Sequence, residues 1–253
     1  MTVLTIRADG PVAFLSFNRP EKRNAVNDAV IDALDAFFSN VPGEVRAIVL
    51  SGEGGHFSAG LDLGEQVHRT PDAVMAHSRN WHRVTGLMLD GGLPIVAALT
   101  GAVMGGGLEI AACCHVRVAE AGAMFRMPEG QRGIFVGGGA TVRLSAIIGA
   151  DRLTEMMLTG HTYGADEALA AGLAHYAVPA GGALEKATEL AGGIARNARS
   201  VNRMVARDIR RIAALPPDEG LAAESALAAE SQTGPDATEG LRSFLEKRKP
   251  HFR

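Results

Sequence analysis

Hydrophobic residues along the chain follow two spacings, a strand-like alternation and a helix-like period. Residues 3–7 and 12–17 alternate in character on either side of Asp9-Gly10, which predicts a β-hairpin. Short apolar runs predict buried strands at 46–50, 95–99, 116–119 and 173–178. Apolar positions at helical spacing predict a helix at 28–38 with Asn27 or Asp28 as its cap, and further helices at 71–89, 141–148, 151–158 and 166–171. Strands that alternate with helices predict an α/β fold.

The C-terminal part of the chain has a different character. Beyond about Gly181 the pattern is helical, with one interruption at Leu215-Pro216-Pro217. We therefore divide the chain into an α/β core at residues 1–195, which would carry the active site, and a helical region at residues 196–253.

Composition and charge narrow the functional classes. Of the 253 residues 47% are hydrophobic and 21% are charged, as in ordinary globular proteins. A net charge of −3 argues against nucleic-acid binding, and the most apolar stretch, residues 93–108, falls short of the roughly 20 residues that span a membrane. The cysteines are the adjacent Cys113 and Cys114, which predicts no disulfide and a cytoplasmic, reducing compartment.

Several common motifs are absent from the sequence. There is no P-loop and no G-x-S-x-G elbow, and the glycine triplets at 105–107 and 137–139 lack the rest of a dinucleotide-binding fingerprint. His77 and His82 are five residues apart, which does not match the spacing of a helical zinc pair. The sequence therefore predicts no metal site.

Two loops leave buried strands and open helices through glycines. The first is HFSAGLD at 56–62, and the second is MGGGLE at 104–109. N–H groups at the start of a helix lack intrahelical partners and lie at the positive end of the helix dipole. Two such loops side by side predict an oxyanion hole, and a pair of tight turns explains the pattern equally well.

Two glutamates lie in unusually apolar surroundings. Glu109 follows the first glycine triplet, and Glu129 lies in MPEG at 127–130. A pair of carboxyls with raised pKa in an enclosed site suits general acid–base chemistry on a small molecule such as water. The alternative is that both are ordinary exposed or ion-paired residues, with Arg126 and Arg132 as partners for Glu129.

These and other motifs, taken in order, resemble the crotonase, or enoyl-CoA hydratase/isomerase, superfamily. The matching segments are NRP at 18–20, NA at 24–25, FSAGLD at 57–62, GGGLE at 105–109, PE at 128–129, LTG at 158–160, ADEALAAG at 165–172 and FLEKRKP at 244–250. The resemblance covers nearly the whole chain. It implies a crotonase-type spiral of repeated ββα units with a C-terminal helical trimerisation region, assembled as a homotrimer or a dimer of trimers.

The resemblance also implies a substrate and a set of site residues. The substrate would be an acyl-CoA thioester, with coenzyme A as part of the substrate and no separate cofactor. Glu109 and Glu129 would be catalytic, and the N–H groups of Ala59 and Gly106 would form the oxyanion hole. Contacts with substrate and CoA would come from Ala59, Gly60, Leu61, Asp62, Gly106, Phe244 and Lys247, the last two acting on the CoA of a neighbouring subunit.

Because both glutamates are present, the resemblance implies an enoyl-CoA hydratase of fatty acid metabolism. Such an enzyme adds water syn across the 2,3 double bond of a 2-enoyl-CoA and gives a 3-hydroxyacyl-CoA. Two alternatives stay open: an isomerase or other crotonase-type acyl-CoA reaction, and a non-catalytic acyl-CoA-binding subunit.

One segment departs from the family pattern. Relatives often carry a proline before the second glycine cluster, where this chain reads GIFVGGG at 133–139. That loop lies beside the second carboxylate in the family, so the change affects the expected shape of the acyl pocket. Residues 65–89, which include Trp81, are expected to line that pocket, although Trp81 fits a plain core position equally well.

Overall fold

A computed structural model describes residues 2–65 and 69–252, in which the chain forms eight strands and ten α-helices. The strands are β1 (Leu4–Asp9), β2 (Val12–Phe17), β3 (Ala47–Gly52), β4 (Ile95–Leu99), β5 (Ala102–Met104), β6 (Val116–Glu120), β7 (Met124–Arg126) and β8 (Tyr176–Val178). The helices are α1 (Asp28–Ser39), α2 (Pro71–Asp90), α3 (Gly106–Ala111), α4 (Ala140–Ile148), α5 (Ala150–Thr159), α6 (Ala165–Ala171), α7 (Ala183–Ile194), α8 (Arg199–Ala213), α9 (Pro217–Gln232) and α10 (Pro235–Leu245).

Six strands form the main sheet, in the order β1-β2-β3-β4-β6-β8. The predicted hairpin of β1 and β2 is confirmed and is antiparallel, whereas every other pair in this sheet is parallel. One face of the sheet packs against the larger core, which includes Leu15, Ile48 and Ile95. The other face packs against the alanines of α7. Burial on both faces explains why the central strands read as short unbroken apolar runs.

A second sheet of two short parallel strands lies beside the two glycine-containing loops at 56–62 and 104–109. β5 and β7 have three residues each and pair in the register Val103↔Phe125. The sequence pattern did not predict either strand. Each follows a strand of the main sheet and precedes a helix, so β4-β5-α3 and β6-β7-α4 repeat the strand-strand-helix unit of the expected spiral. The α/β crotonase-type architecture is confirmed.

Capping residues set the helix starts that bring loops to the site. Asn27, not Asp28, caps α1, because its side chain accepts a hydrogen bond from the Val30 N–H at 3.2 Å. Thr70 caps α2 and Pro71 occupies its first turn. The predicted strand at 173–178 is wrong over its first half: Ala174 donates its N–H to the Ala168 carbonyl in the turn after α6, and only Tyr176–Val178 pairs in the sheet.

The C-terminal helices attach to the core through α8, which packs against α2. His115 makes a specific link: its Nδ1 accepts from the Ile95 N–H, and its Nε2 lies 3.1 Å from the Ala206 carbonyl of α8. α9 and α10 leave large apolar side chains exposed, including Leu221, Leu241 and Phe244. The domain boundary and the trimer stay predictions. In the described ranges, no helix combines the length and apolar character needed to cross a membrane.

Candidate active site

The first functional loop, residues 56–62, is held by buried side-chain hydrogen bonds. Asn24 donates from its amide to the carbonyls of Glu53 and His56 at 2.8 and 2.7 Å. Ser58 donates its hydroxyl to the Asn24 carbonyl at 2.7 Å and accepts from the Gly60 N–H at 3.1 Å. The loop backbone is therefore fixed by its neighbours before any ligand binds.

The second loop passes through Gly105, at a φ of 48°, into α3. Positive φ favours glycine there. A Cβ on Gly107 would lie 2.6 Å from the Ser58 Cβ, and a Cβ on Gly106 would lie 3.3 Å from the Leu61 nitrogen. The two loops thus lie against each other, as the sequence pattern predicted, and the glycines permit this close approach.

The expectation that Ala59 supplies an oxyanion donor is corrected by the structure. The Ala59 N–H donates to the Arg23 carbonyl at 2.9 Å and is therefore not available to a ligand. Two residues later, the Leu61 N–H has no hydrogen-bond acceptor among residues 2–65 and 69–252. Its neighbour Asp62 donates to the Val26 carbonyl at 2.8 Å, so the chain pairs with Val26 on one side and leaves the Leu61 N–H on the other.

Gly106 provides a second free donor close to Leu61. It is the first residue of α3, and in the part of the chain described its N–H has no acceptor. Such a group carries the partial positive charge of a helix start. Leu61 and Gly106 therefore bring two unpaired backbone donors together, a geometry suited to binding one oxygen.

Glu109 lies on α3, one turn beyond these donors, with only 5% of its surface exposed. Its Oε1 accepts hydrogen bonds from the N–H groups of Gly138 and Ala140, at 2.9 and 3.0 Å. Burial raises the pKa of Glu109 above its ordinary value, and these two hydrogen bonds and the nearby Arg143 charge oppose that effect.

Glu129 lies on a short 3₁₀ turn at Glu129–Arg132 and is 8% exposed. Burial, with a smaller contribution from the charge of Glu109, raises the pKa of Glu129 to about 7. Its Oε2 is buried without a hydrogen-bond partner in the described residues, and its Oε1 lies 2.6 Å from where a Cβ on Gly105 would be. The carboxyl thus lies against the second functional loop.

The alternative that the glutamates are exposed or ion-paired is wrong. Arg126 donates to Gln131 at 2.6 Å, and neither Arg126 nor Arg132 forms an ion pair with Glu129 in the described ranges. Electrostatic repulsion between the Glu109 and Glu129 carboxylates disfavours the state in which both are ionised. One carboxyl of such a pair is therefore expected to stay protonated while the other is ionised.

The remaining predicted contact residues fall into two groups. Asp62 is buried, and its carboxylate binds Arg19 at 2.8 Å, which lowers its pKa. It therefore supports the loop and does not face a ligand with its carboxylate. Phe244 is 79% exposed on α10, and Lys247 follows that helix with a φ of 53°. Within the described chain neither residue bonds to the site, so their role in CoA binding stays a prediction about a neighbouring subunit.

Four residues at the site were not singled out as participants by sequence reasoning. They are the donors Gly138 and Ala140, the charged Arg143 and the unpaired Leu61 N–H, which was assigned only to general substrate contact. The Trp81 ring lies against the site, because its carbons would be 2.8 Å from a Cβ on either Gly106 or Gly138.

Residues 66–68 of the expected pocket segment lie outside the described residues. Across 2–65 and 69–252, no group of His, Cys, Asp and Glu could hold a metal ion.

Comparisons with known proteins identify the family of the chain. The family model described as enoyl-CoA hydratase/isomerase matches residues 7–253. The chain is 32% identical to "Enoyl-CoA hydratase EchA19" of Mycobacterium tuberculosis over 96% of its length and 93% of that protein. It is 31% identical to the "2,3-dehydroadipyl-CoA hydratase" of Escherichia coli, covering 100% of this chain and 99% of that one.

A solved structure with higher sequence identity also carries the name of an enoyl-CoA hydratase. The crystal structure of a "putative enoyl-CoA hydratase" from Rhodopseudomonas palustris is 44% identical, covers 97% of this chain and 95% of its own, and superposes with a TM-score of 0.94. An enoyl-CoA hydratase structure from Bacillus anthracis is 29% identical with a TM-score of 0.93, over 99% and 98% of the two chains. The chain belongs to the enoyl-CoA hydratase/isomerase family, within the crotonase superfamily.

Proposed function

We propose that this protein is an enoyl-CoA hydratase that adds water syn across the 2,3 double bond of a 2-enoyl-CoA, giving a 3-hydroxyacyl-CoA. The observation that carries the proposal is the pairing of two buried carboxyls, Glu109 and Glu129, beside two free backbone donors. Hydration needs all of these parts: a base for water, an acid for carbon 2, and donors for the charge that develops on the thioester oxygen. The hydratase names of the relatives support the same choice.

The thioester oxygen binds between the N–H groups of Leu61 and Gly106. When the water oxygen attacks carbon 3, electron density moves through the conjugated system onto the thioester oxygen. The intermediate therefore resembles an enolate. The two donors stabilise this charge without reorganising, because the loops hold them in place. Loss of one such donor typically costs about 10²–10³ in kcat.

The two carboxyls divide the proton transfers. Glu109 accepts two N–H hydrogen bonds and lies near Arg143, so it is the better place for the negative charge of the pair. In the proposed reaction it removes a proton from water. Glu129, whose Oε2 lacks a donor and whose pKa is about 7, is the neutral partner that delivers a proton to carbon 2. Delivery of both groups from one side gives the syn outcome.

The CoA portion of the substrate lies outside this pair. We propose that Gly60 and Leu61 contact it by van der Waals packing, because the Gly60 N–H and carbonyl are already bonded to Ser58 and Val26. Phe244 and Lys247 reach it from a neighbouring subunit of a homotrimer or a dimer of trimers. A lysine there would pair with a phosphate. The reaction as proposed moves only protons and water, so it uses no further cofactor.

A steady-state assay with two substrates tests the proposal. Crotonyl-CoA should lose its conjugated enoyl absorbance on hydration, with 3-hydroxybutyryl-CoA identified by mass. A 3-enoyl-CoA should be a poor substrate, because its double bond is not conjugated with the thioester and addition of water to it develops no charge on the thioester oxygen. Rapid appearance of 2-enoyl absorbance from the 3-enoyl-CoA, with no hydration of crotonyl-CoA, would instead support an isomerase. Binding of CoA esters without turnover of either substrate would support a non-catalytic subunit.

A further inference from the structure

The loop that supplies both hydrogen bonds to Glu109 is built from glycine. Gly137, Gly138 and Gly139 precede α4, and Gly139 has a φ of 108°. Three successive glycines have little intrinsic preference for one backbone conformation. The N–H groups of Gly138 and Ala140 nevertheless both point at Glu109 Oε1, at 2.9 and 3.0 Å. Side chains must therefore hold this loop: Ser78 of α2 donates to the Gly137 carbonyl at 2.6 Å, and Arg143 holds Gly138.

Arg143 lies one turn into α4, and its side chain reaches back over the loop. Its Nη1 donates to the Gly138 carbonyl at 3.2 Å, and it also lies 3.0 Å from where a Cβ on Gly139 would be. Gly138 is thus bonded on both sides: its carbonyl accepts from Arg143, and its N–H donates to Glu109. Rotation of this residue would break both bonds together.

The Arg143 guanidinium, which bonds to Gly138, also bonds to the buried face of α2. Arg143 Nη1 donates to the Thr85 hydroxyl at 2.5 Å, and its Nη2 lies 3.5 Å from the His82 carbonyl. Thr85 is fully buried and donates its own proton to the Trp81 carbonyl at 2.6 Å. A rigid helix therefore anchors the guanidinium, which in turn anchors the glycine loop.

The charge of Arg143 is directed at the same carboxyl. In the described parts of the chain, no carboxylate forms an ion pair with Arg143. The ionisable groups that face Glu109 are Arg143 from α4, Glu129 from the 3₁₀ turn, and the buried Cys113, whose pKa is raised to about 11 so that it stays neutral. Arg143 is thus the cation of this set, and it favours the ionised form of Glu109.

We propose that Arg143 is a positioning residue for the base of this enzyme: it fixes the glycine loop so that Gly138 and Ala140 hold the Glu109 carboxylate toward water. It does not touch the substrate. The inference rests on the proposed hydratase function for its kinetic consequence, but the geometry of Arg143, Gly138 and Glu109 is independent of which acyl-CoA reaction the pair performs.

Three variants test this role. Arg143→Gln removes both the charge and the branched set of N–H donors of the guanidinium. Arg143→Lys keeps the charge but cannot make the same divergent hydrogen bonds. Arg152→Gln removes an exposed charge from the next helix and serves as a control. We expect Arg143→Gln to lower kcat by about 10–10², the scale of a misplaced reacting group, with KM changed less than threefold. Arg143→Lys should recover part of kcat, and Arg152→Gln should match the wild type.

A pH profile separates positioning from a merely structural role. Removal of Arg143 should raise the pKa of Glu109, so the acid limb of kcat/KM should move to higher pH in Arg143→Gln and return toward wild type in Arg143→Lys. Proportional losses of kcat and thermal stability, with an unmoved acid limb, would overturn the proposal, as would wild-type kinetics in Arg143→Gln.

A direct titration keeps the test independent of turnover. Carbon-13 NMR of glutamate-labelled protein, with Glu109 assigned through Glu109→Gln, should show a higher pKa for Glu109 in Arg143→Gln than in wild type. If the wild type hydrates no enoyl-CoA but this shift is present, the proposed function fails and the positioning role stands. If hydration is present but the shift is absent, the positioning role fails.

Discussion

The two carboxyls of the site are alike in burial and different in what holds them. Glu109 and Glu129 are 5% and 8% exposed. Glu109 extends from a helix and accepts two N–H groups on one oxygen, whereas Glu129 extends from a 3₁₀ turn and buries one oxygen with no partner among the described residues. Burial raises the pKa of both. Backbone N–H groups oppose that effect, two at Glu109 and its own N–H at Glu129. Equal burial therefore does not mean equal roles.

Removal of either carboxyl should have the largest effect on turnover. We expect Glu109→Gln and Glu129→Gln each to lower kcat by about 10²–10⁴, because each removes a proton-transfer group while keeping the shape of the side chain. The double variant should be little worse than the worse single variant, because groups that act as a unit are not additive. Binding of a CoA ester, measured by calorimetry, should persist. Near-normal turnover in either single variant would exclude that residue from the mechanism.

The donor at Gly106 should have the next largest effect. Gly106→Pro removes the N–H at a helix position that tolerates proline, and Gly106→Ala keeps the N–H. Both variants place a Cβ 2.8 Å from the Trp81 ring, so that strain is common to the pair. We expect the proline variant to have a kcat lower than the alanine variant by about 10²–10³, with similar melting temperatures. Equal kcat in the two folded variants would show that this N–H does not bind the oxyanion.

The pH dependence of kcat/KM distinguishes the two carboxyls through a smaller effect. Glu129 has a pKa of about 7 and must be protonated in the proposed step, so kcat/KM should fall about tenfold per pH unit above that value. At lower pH, activity should be lost as Glu109 gains a proton, above the ordinary glutamate range. The residual activity of Glu129→Gln should lack the alkaline limb. An unchanged alkaline limb in that variant would assign it to another group.

The smallest expected effect lies far from the carboxyls, at Lys247. Lys247→Gln should raise KM for crotonyl-CoA two- to fivefold, the scale of an exposed ion pair of about 0.4–1 kcal/mol, with kcat unchanged. Added salt should reduce the difference because exposed charges are screened. Lys249→Gln serves as the matched control, and light scattering reports the oligomeric state. Equal KM values for the two variants would remove Lys247 from the CoA site.

The sequence was a good guide to elements with a strong local signal. The continuous apolar run of β4 and the capped, amphipathic α1 were predicted within a residue or two. The three-residue strands β5 and β7 were missed because so short a strand has no period of its own and is defined only by its partner. The strand predicted at 173–178 was too long because Leu173 and Ala174 are buried in a turn, and burial alone looks like a strand in sequence.

The site shows the same division. The glutamates and Gly106 could be selected from their apolar, glycine-rich surroundings. Ala59 was assigned from its place in the motif alone, and the bond that occupies its N–H goes to the Arg23 carbonyl, which is distant in sequence and leaves no local signal. The donors to Glu109 come from 29 and 31 residues away in sequence, and no local pattern could pair them.

The contact of Trp81 with two glycines also limits the order in which this site can change. A side chain at Gly106 or at Gly138 would place its Cβ 2.8 Å from the indole ring. A single substitution at either glycine therefore meets the ring. Replacement of Trp81 by a smaller residue relieves this contact at Gly106, whereas a Cβ on Gly138 would still lie 2.5 Å from Glu109 Oε2. Along a mutational path toward a reshaped acyl pocket, a change at position 81 makes room for a side chain at position 106, whereas position 138 stays a glycine for as long as Glu109 is kept.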